Sequence, residues 1–379
     1  MYKIKEIAEA LDIEPWRIRG AIERGTIKFR DDFSPPYFVF TRALGKIEAG
    51  TAIFLGEKIE VIRGFPKIKR AFFLSNAVKN HFEDKVAVEE KMNGYNVRVF
   101  SIKKKLVAIT RGGYVCPYTT NKIRKNKKIS RFLKENNKVL CGEVVGLENP
   151  YAIHCYEEAP KFGYFVFDIR EKGSNMPMSI KEKNSLLEEY VIEKVRLFGI
   201  YSKEEVVEKT FEILKKLEEE NREGVVLKDP EMKLEPLKYT PSKTNTSDLR
   251  HAFRFPFDFG RDFFFSRIIR EGFQAVELEE DEEELKERAK RIGESILFPM
   301  VETIRRVRNK EVVTDDYQIR VESMEEIKTL MRYLQRQGVT CILGDVMQEN
   351  KNLVATLKRI RPNSNDKIKS ILEKGVTSE

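Results

Sequence analysis

Cysteine is scarce in this chain: Cys116, Cys141, Cys155 and Cys341 lie far apart and make no C-x-x-C pair. Neither a zinc ribbon nor a disulfide framework is expected, and a reducing, cytoplasmic setting is. No stretch approaches the roughly 18 uninterrupted apolar residues of a membrane span. The amino terminus, MYKIKEIAEALDIEPW, also lacks the apolar core of a signal peptide. The expectation is a soluble protein without a membrane partner. Internal repeats and long low-complexity linkers are missing too, so the 379 residues read as two or three unlike domains, each able to bury a core. Glutamine is rare while Lys and Glu abound, the balance of a heat-adapted, thermophilic surface. What is in excess is positive charge: 70 Lys and Arg against 61 Asp and Glu give +9 and make a polyanionic partner plausible.

Residues 1–65 combine a helical pattern at Ile4, Ile7, Ala8 and Leu11 with strand-like runs, YFVFTRAL and TAIFLG, set apart by Ser34-Pro35-Pro36. The opening invites a helix-turn-helix reading, but no helix of base-reading polar residues follows, so an accessory module is expected. Between 66 and 240 short runs recur: KVAVEEK, YNVRVFSI, KLVAITR, KVLCGEVVG, YFVFDIR and GVVLKD. They predict largely antiparallel sheets with a few helices, an α+β fold. Ser202 and Glu205 predict a capping box, with Val206, Thr210, Phe211, Leu214 and Leu217 forming the apolar face of the helix that follows. Residues 241–311 read as helical. They contain eight phenylalanines in HAFRFPFDFGRDFFFSRIIREGF, which must pack a core or form an oligomer interface. A long helical pattern from Leu285 to Val307 is expected to kink or break at Pro299. Residues 312–379 predict a small α/β unit: a strand at Tyr317, Ile319 and Val321, a helix capped by Ser323 and Glu326 and ended by Gly338, the strand VTCIL, and a basic helix.

Chemistry concentrates between 66 and 240. In VEEKMNGYNVRVF, residues 88 to 100, strand alternation runs into a lysine beside a glycine. Lys91 either faces a phosphate or nucleotide, with Gly94 letting backbone come close, or is a solvated residue on an edge strand. Arg111 in TRGG suits guanidinium contact with phosphate or ribose, or is the solvent arginine of a hairpin. Glu143 in LCGEVVG points outward from an edge strand or, if inward, needs a cation or metal. Phe167 in YFVFDIR is core or a platform for a base. Glu223 and Lys228 frame REGVVLKD, and Lys238 follows in PLKYT. Two lysines and two glutamates converging from four strands suit a nucleoside triphosphate with Mg²⁺. The basic stretch NKIRKNKKISR, residues 121 to 131, reads as a loop, either tracking an RNA backbone or simply solvated.

Taken in order, K-x-x-G, R-G, G-E, F-D-I, E-G-x-V-x-K and L-K resemble the covalent nucleotidyltransferase superfamily of ATP-dependent polynucleotide ligases and mRNA capping enzymes. In detail GFPKIKR, EEKMNGYNVR, GEVVG, YFVFDIR and REGVVLK look like the archaeal homodimeric ATP-dependent RNA ligases, over nearly the whole chain. The resemblance implies an antiparallel-sheet nucleotidyltransferase core at 66–240, a helical dimerisation segment at 241–311 and a homodimer. It implies that Lys91 takes AMP from ATP as a lysyl-AMP, that AMP passes to the 5′-phosphate of single-stranded RNA, and that a 3′-hydroxyl displaces it, circularisation included. Glu143 and Glu223 would hold Mg²⁺, or Mn²⁺ in its place. Lys228 and Lys238 would neutralise phosphate and favour the neutral form of Lys91. Phe167 would stack on adenine, Glu89 would read its amino group, and Arg98 and Arg111 would reach ribose or phosphate. Two positions depart from the family pattern: Asn93 stands where many members have Asp, and Thr240 where many have a second basic residue.

The nearest rivals are a capping-type guanylyltransferase using GTP and a DNA ligase. Both append an oligonucleotide-binding barrel after the last lysine motif, whereas 241–310 reads as helical. A non-catalytic RNA-binding scaffold would have lost one of Lys91, Glu143, Glu223 or Lys238, and none is missing.

Overall fold

The computed structural model describes residues 3–376, and among these the protein is a mixed α+β fold of four β-sheets with helices between and around them. Two sheets form the centre. The first orders Gly163–Glu171, Lys138–Val145, Tyr95–Ile102 and Lys105–Thr110. The second orders Leu197–Ser202, Lys85–Lys91, Gly224–Lys228, Leu237–Tyr239 and Lys69–Arg70, with only the last pair parallel. All six runs read from the sequence here are strands. Leu197–Ser202, a half-exposed edge, and the two-residue Lys69–Arg70 show no alternating burial, which is why periodicity missed them.

Both edge-strand readings fall away. Lys85–Lys91 and Lys138–Val145 are each hydrogen-bonded to neighbours on both sides, so Lys91 and Glu143 sit on interior strands. Gly94 is needed for packing on the Glu143 strand: a Cβ there would lie 2.1 Å from the Val144 carbonyl oxygen and 3.0 Å from Cγ of Glu143.

The amino-terminal segment pairs the helices Ile4–Leu11 and Pro15–Glu23 with a four-stranded meander, Ile27–Arg30, Tyr37–Phe40, Ala52–Leu55 and Ile59–Ile62. Its sheet is covered on both faces. Phe38, Phe40 and Ile53 meet the two helices, while Tyr37, Val39 and Phe54 pack on Phe100, Val107 and Cys141 of the first central sheet. That is why every residue of YFVF is buried: one face closes the module's own core and the other shares a core with its neighbour.

Ser202 and Glu205 do make reciprocal bonds, but in a turn, and the helix Val206–Glu219 begins one residue later. The basic stretch at 121–131 is not a loop. It spans the helices Pro117–Arg124 and Lys127–Glu135, the second capped by the Asn126 side chain, with Ile123, Ile129, Phe132 and Leu133 buried. Their helical spacing outweighs the run of cations between them.

Residues 242–308 carry the helices Ser242–Phe253, Arg261–Glu277 and Glu282–Arg308. The last, opened by a capping box from Asp281 and Glu284, continues through Pro299 without a break. One lost backbone bond is tolerated in a 27-residue helix that packs against Ser242–Phe253 and buries Pro299 itself. The carboxy-terminal unit sets the helix Met324–Arg336, capped by Ser323, against a sheet ordered Thr314–Val321, Asn352–Ile360 and Cys341–Glu349. Asn352–Ile360 was unread as a strand. It pairs with Cys341–Glu349 around a turn where Asn350 takes φ 54°, and Pro362–Lys374 is the basic helix. Of the eight phenylalanines Phe255 is fully buried with Val307, Val313 and Ile368, whereas Phe265 and Phe273 stay exposed.

Candidate active site

Strand register lays out the floor of the site. Registered neighbours in a sheet point to one face. Glu89 pairs with Val226, Val226 with Lys238, and Lys238 with Arg70, which makes one row across four strands. One step along the same face, Lys91 pairs with Gly224. From the other central sheet come Glu143, registered with Asn96, and Phe167, which sits at a β-bulge between Val166 and Asp168. The extra residue of a bulge re-aims its side chain. Both faces enclose a cavity of about 520 Å³, lined also by Arg111 and, from the carboxy-terminal unit, by Tyr333 and Gln337.

At one end of the cavity charges crowd without full compensation. Lys91 Nζ lies 2.7 Å from Glu223 Oε1. Burial pushes the Glu143 carboxyl up to about 8, with Lys91 pulling it down and Glu223 pushing it further up. Burial, reinforced by Arg70 and Lys91, brings Lys238 down to about 8. Arg70 and Arg270 both donate to Thr240 Oγ1, at 2.7 and 2.8 Å.

The other end is closed by pairing. Glu89 is buried with its carboxylate held by Lys183 and, at 2.7 Å, by Lys228. Burial opposes its ionisation, yet Lys228 and Lys183 together keep its pKa below the usual range. Both lysines also donate to the Phe167 carbonyl, at 3.2 and 2.7 Å, and the Phe167 ring packs edge-on against Phe65 with centroids 5.2 Å apart.

The structure therefore gathers Glu89, Lys91, Arg111, Glu143, Phe167, Lys228 and Lys238 around one cavity, with Glu223 against Lys91. It redistributes two of them and removes a third. Lys228 is spent on Glu89 and the Phe167 carbonyl, about 13 Å along its strand from the Lys91 row at the usual ~3.3 Å rise per residue, and is not beside Lys91 as a phosphate cation. Glu89 meets two ammonium groups, so reading an adenine amino group would require sharing its carboxylate. Arg98 does not reach the cavity. Its guanidinium is buried and donates to the carbonyls of Arg63, Gly50 and Thr110, the last two at 2.9 and 3.1 Å, tying the amino-terminal module to the central sheet. Alternation predicted its face correctly, but not the loops that cover it.

Four contributors were not read from the sequence. Lys183 and Gln337 carried no local signal. Arg70 lies in GFPKIKR, and Arg270 in a stretch dominated by phenylalanine; only their meeting at Thr240, which brings no charge of its own, reveals them.

Glu143 and Glu223 fit a divalent cation, because Glu143 is a buried carboxyl whose charge is suppressed by desolvation and a like neighbour. Among the described residues no cluster of three or more His, Cys, Asp or Glu could hold a metal, so water and phosphate would have to complete the shell, as suits Mg²⁺.

An interior-strand lysine facing carboxylates and cations, in a cavity between two antiparallel sheets, defines a ligase of the covalent nucleotidyltransferase type. The "RNA ligase" family model matches residues 84–240, and the "Ligase Pab1020 C-terminal region" model matches 251–375. Two solved structures of an archaeal ATP-dependent RNA ligase, form 1 and form 2, are 43% identical to this chain, with full coverage of both chains and a TM-score of 0.94. A candidate ATP-dependent DNA ligase of Aquifex aeolicus is 26% identical over 96% of this chain and all of its own, with a TM-score of 0.89. An uncharacterized protein of Methanocaldococcus jannaschii is 38% identical, covering 98% of this chain and 96% of its own. The chain belongs to the ATP-dependent RNA ligase family that the two archaeal structures represent. No helix among the described residues is long and apolar enough to cross a membrane.

Proposed function

We propose that the protein joins a 5′-phosphate to a 3′-hydroxyl of single-stranded RNA, circles included, through a lysyl-AMP on Lys91 and an adenylated RNA. What supports this reading above all is Lys91 itself, which ends an interior strand in a nucleotide-sized cavity with Glu223 at 2.7 Å. An ammonium is no nucleophile, so attack on the α-phosphorus of ATP requires Lys91 to lose a proton, and Glu223 is the nearest acceptor. Lys238 on the same face, with Arg111 at the cavity wall, offsets charge growing on the phosphate oxygens. A Mg²⁺ held by Glu143 and Glu223, or Mn²⁺ in its place, would supply further charge neutralisation there. Phe167 and Phe65 offer an apolar wall for adenine, backed by the paired lysines. Intact-mass measurement after incubation with ATP and Mg²⁺ should show one added AMP on a peptide containing Lys91, and 5′-phosphorylated RNA should then yield circles and adenylated RNA. An adduct from GTP alone, or at another residue, overturns the reading.

The likeness to the Aquifex structure supports DNA ends as a second substrate. Nicked 5′-phosphorylated duplex DNA, supplied in parallel, separates the two: sealing faster than RNA circularisation would favour DNA. The reading includes a homodimer. On Arg261–Glu277 the polar Arg270, Glu271 and Gln274 are buried, while Phe265, Ile268, Phe273 and Val276 face outward, an inversion that calls for a cover. A monomer by sedimentation at micromolar protein would remove this part.

A further inference from the structure

The inverted helix Arg261–Glu277 brings Arg270 to a place where, among the described residues, acids attract it only from beyond ion-pair distance: Asp248 and Glu271 act on Arg270, and Glu223 and Asp248 on Arg70. Arg270 is 2% exposed, and its bond to Thr240 Oγ1 leaves Nε without a partner. Arg70 reaches the same hydroxyl from the opposite flank. Lys238, which lines the cavity, registers with Arg70, and Thr240 directly follows the strand Leu237–Tyr239 that carries Lys238. Among the described residues no carboxylate pairs with Arg70, Arg270, Lys238 or Arg111. Neighbouring arginines are treated differently. Arg267 is paired with Asp248 at 2.9 Å, and Arg288 with Glu271 and Glu280. These two structural arginines come with their acids. Two desolvated guanidiniums sharing one neutral hydroxyl do not, and they repel: burial and Arg70 bring Arg270 down to about 9. Such a pair needs an anion from outside, and a phosphate matches two guanidinium forks.

We propose that Arg70 and Arg270, bracketing Thr240 beyond Lys238, form a phosphate site that receives pyrophosphate leaving ATP and then the 5′-phosphate of the RNA. The assignment of the two occupants rests on the ligase reading above. When the Lys91 amine attacks, an N–P bond forms and the bond from the α-phosphorus to its bridging oxygen breaks, the electron pair leaving with pyrophosphate. In the second step an oxygen of the RNA 5′-phosphate bonds to the same phosphorus. The N–P bond then breaks, and the pair returns to Lys91, which takes up a proton. Both displacements are in line, with Lys91 first entering and then leaving. Pyrophosphate therefore departs from the side by which the RNA phosphate arrives, and one set of cations serves both.

The test replaces each arginine by a neutral polar residue: Arg270→Gln and, should that variant misfold, Arg70→Gln at the half-buried strand end. Inorganic pyrophosphate titrated calorimetrically should bind wild type and bind either variant at least ~10-fold more weakly, since a charge-assisted pair is lost. This arm holds whether or not the protein is a ligase. With ATP, the rate of enzyme adenylation should fall about 10²-fold, and transfer from pre-adenylated enzyme to 5′-phosphorylated RNA by a similar factor. AMP has no phosphate beyond the α position, so its affinity should hold. A fall in adenylation alone overturns the RNA half of the proposal, and a fall in transfer alone overturns the pyrophosphate half. Unchanged pyrophosphate binding, or an equal loss of AMP affinity, makes the arginines structural and overturns the whole. Absence of any AMP adduct in wild type would instead count against the ligase reading.

Discussion

The two ends of the cavity floor are built from the same strands and hold similar numbers of charges, yet they use them in opposite ways. At the Glu89 end one carboxylate faces two lysines, both of which are also hydrogen-bonded to the Phe167 carbonyl. At the Lys91 end burial pushes the Glu143 carboxyl up to about 8 and brings Lys238 down to about 8, and two arginines share a hydroxyl. Internal pairing makes a rigid wall, whereas charges left without partners are stabilised only when a ligand arrives. Substitutions at the two ends should therefore fail differently. Lys91→Ala should abolish the AMP adduct outright while leaving the thermal transition near that of wild type. An adduct persisting in that variant would break the comparison at its functional end.

Glu89→Gln is the converse, with stability as its main readout. It leaves Lys183 and Lys228 buried without their anion, and breaking a buried pair from one side costs about 3–5 kcal/mol. Urea unfolding at pH 7 should show that loss; a change below about 1 kcal/mol, the range of an exposed pair, would mean that the wall is not held by charge. Arg98 sharpens the contrast further. Arg98→Met strips the donor from the carbonyls of Gly50, Arg63 and Thr110, and at roughly 1.5–3 kcal/mol for a charged hydrogen bond it should lower stability visibly. Its AMP adduct per folded molecule should equal that of wild type, because the guanidinium lies outside the cavity.

The sequence disclosed the fold where the physics is local. Six strands showed as short apolar runs between turn residues, the helix capped by Ser323 declared itself by cap and periodicity, and Val206–Glu219 by its apolar face alone. Lys91 and Glu143 stood out as charged residues within apolar strands, and Glu223 as the acid just before the strand Gly224–Lys228. The rest depended on partners distant in the chain. Arg98 alternates onto the correct face, but only the loops at Gly50 and Arg63 decide that it is consumed there. Lys228 could not be told from a phosphate cation until Glu89 stood opposite. Arg70 and Arg270 are 200 positions apart and have meaning only together at Thr240. The strand Asn352–Ile360 went unread because its burial does not alternate cleanly and its partner, across a short turn, is largely exposed.

The smallest effect belongs to Lys183, and its sign is informative. Burial and Lys228 lower its pKa from 10.5 to about 8, even after the attraction of Glu89. Below pH 8 the lysine is charged in both folded and unfolded chains, so the native state carries a constant penalty. Between pH 8 and 10.5 the unfolded chain keeps a proton that the folded one releases, and by linkage stability then rises with pH. Lys183→Met removes the penalty and leaves Glu89 and Lys228 as a one-to-one pair, so it should be neutral or slightly stabilising at pH 7, and its advantage should shrink as pH climbs toward 10. Paired urea melts of variant and wild type at pH 7 and pH 9.5 measure both. A clear destabilisation at pH 7 would show that Glu89 needs two cations, and that its end of the cavity is charged to hold a second anion instead of being merely neutralised.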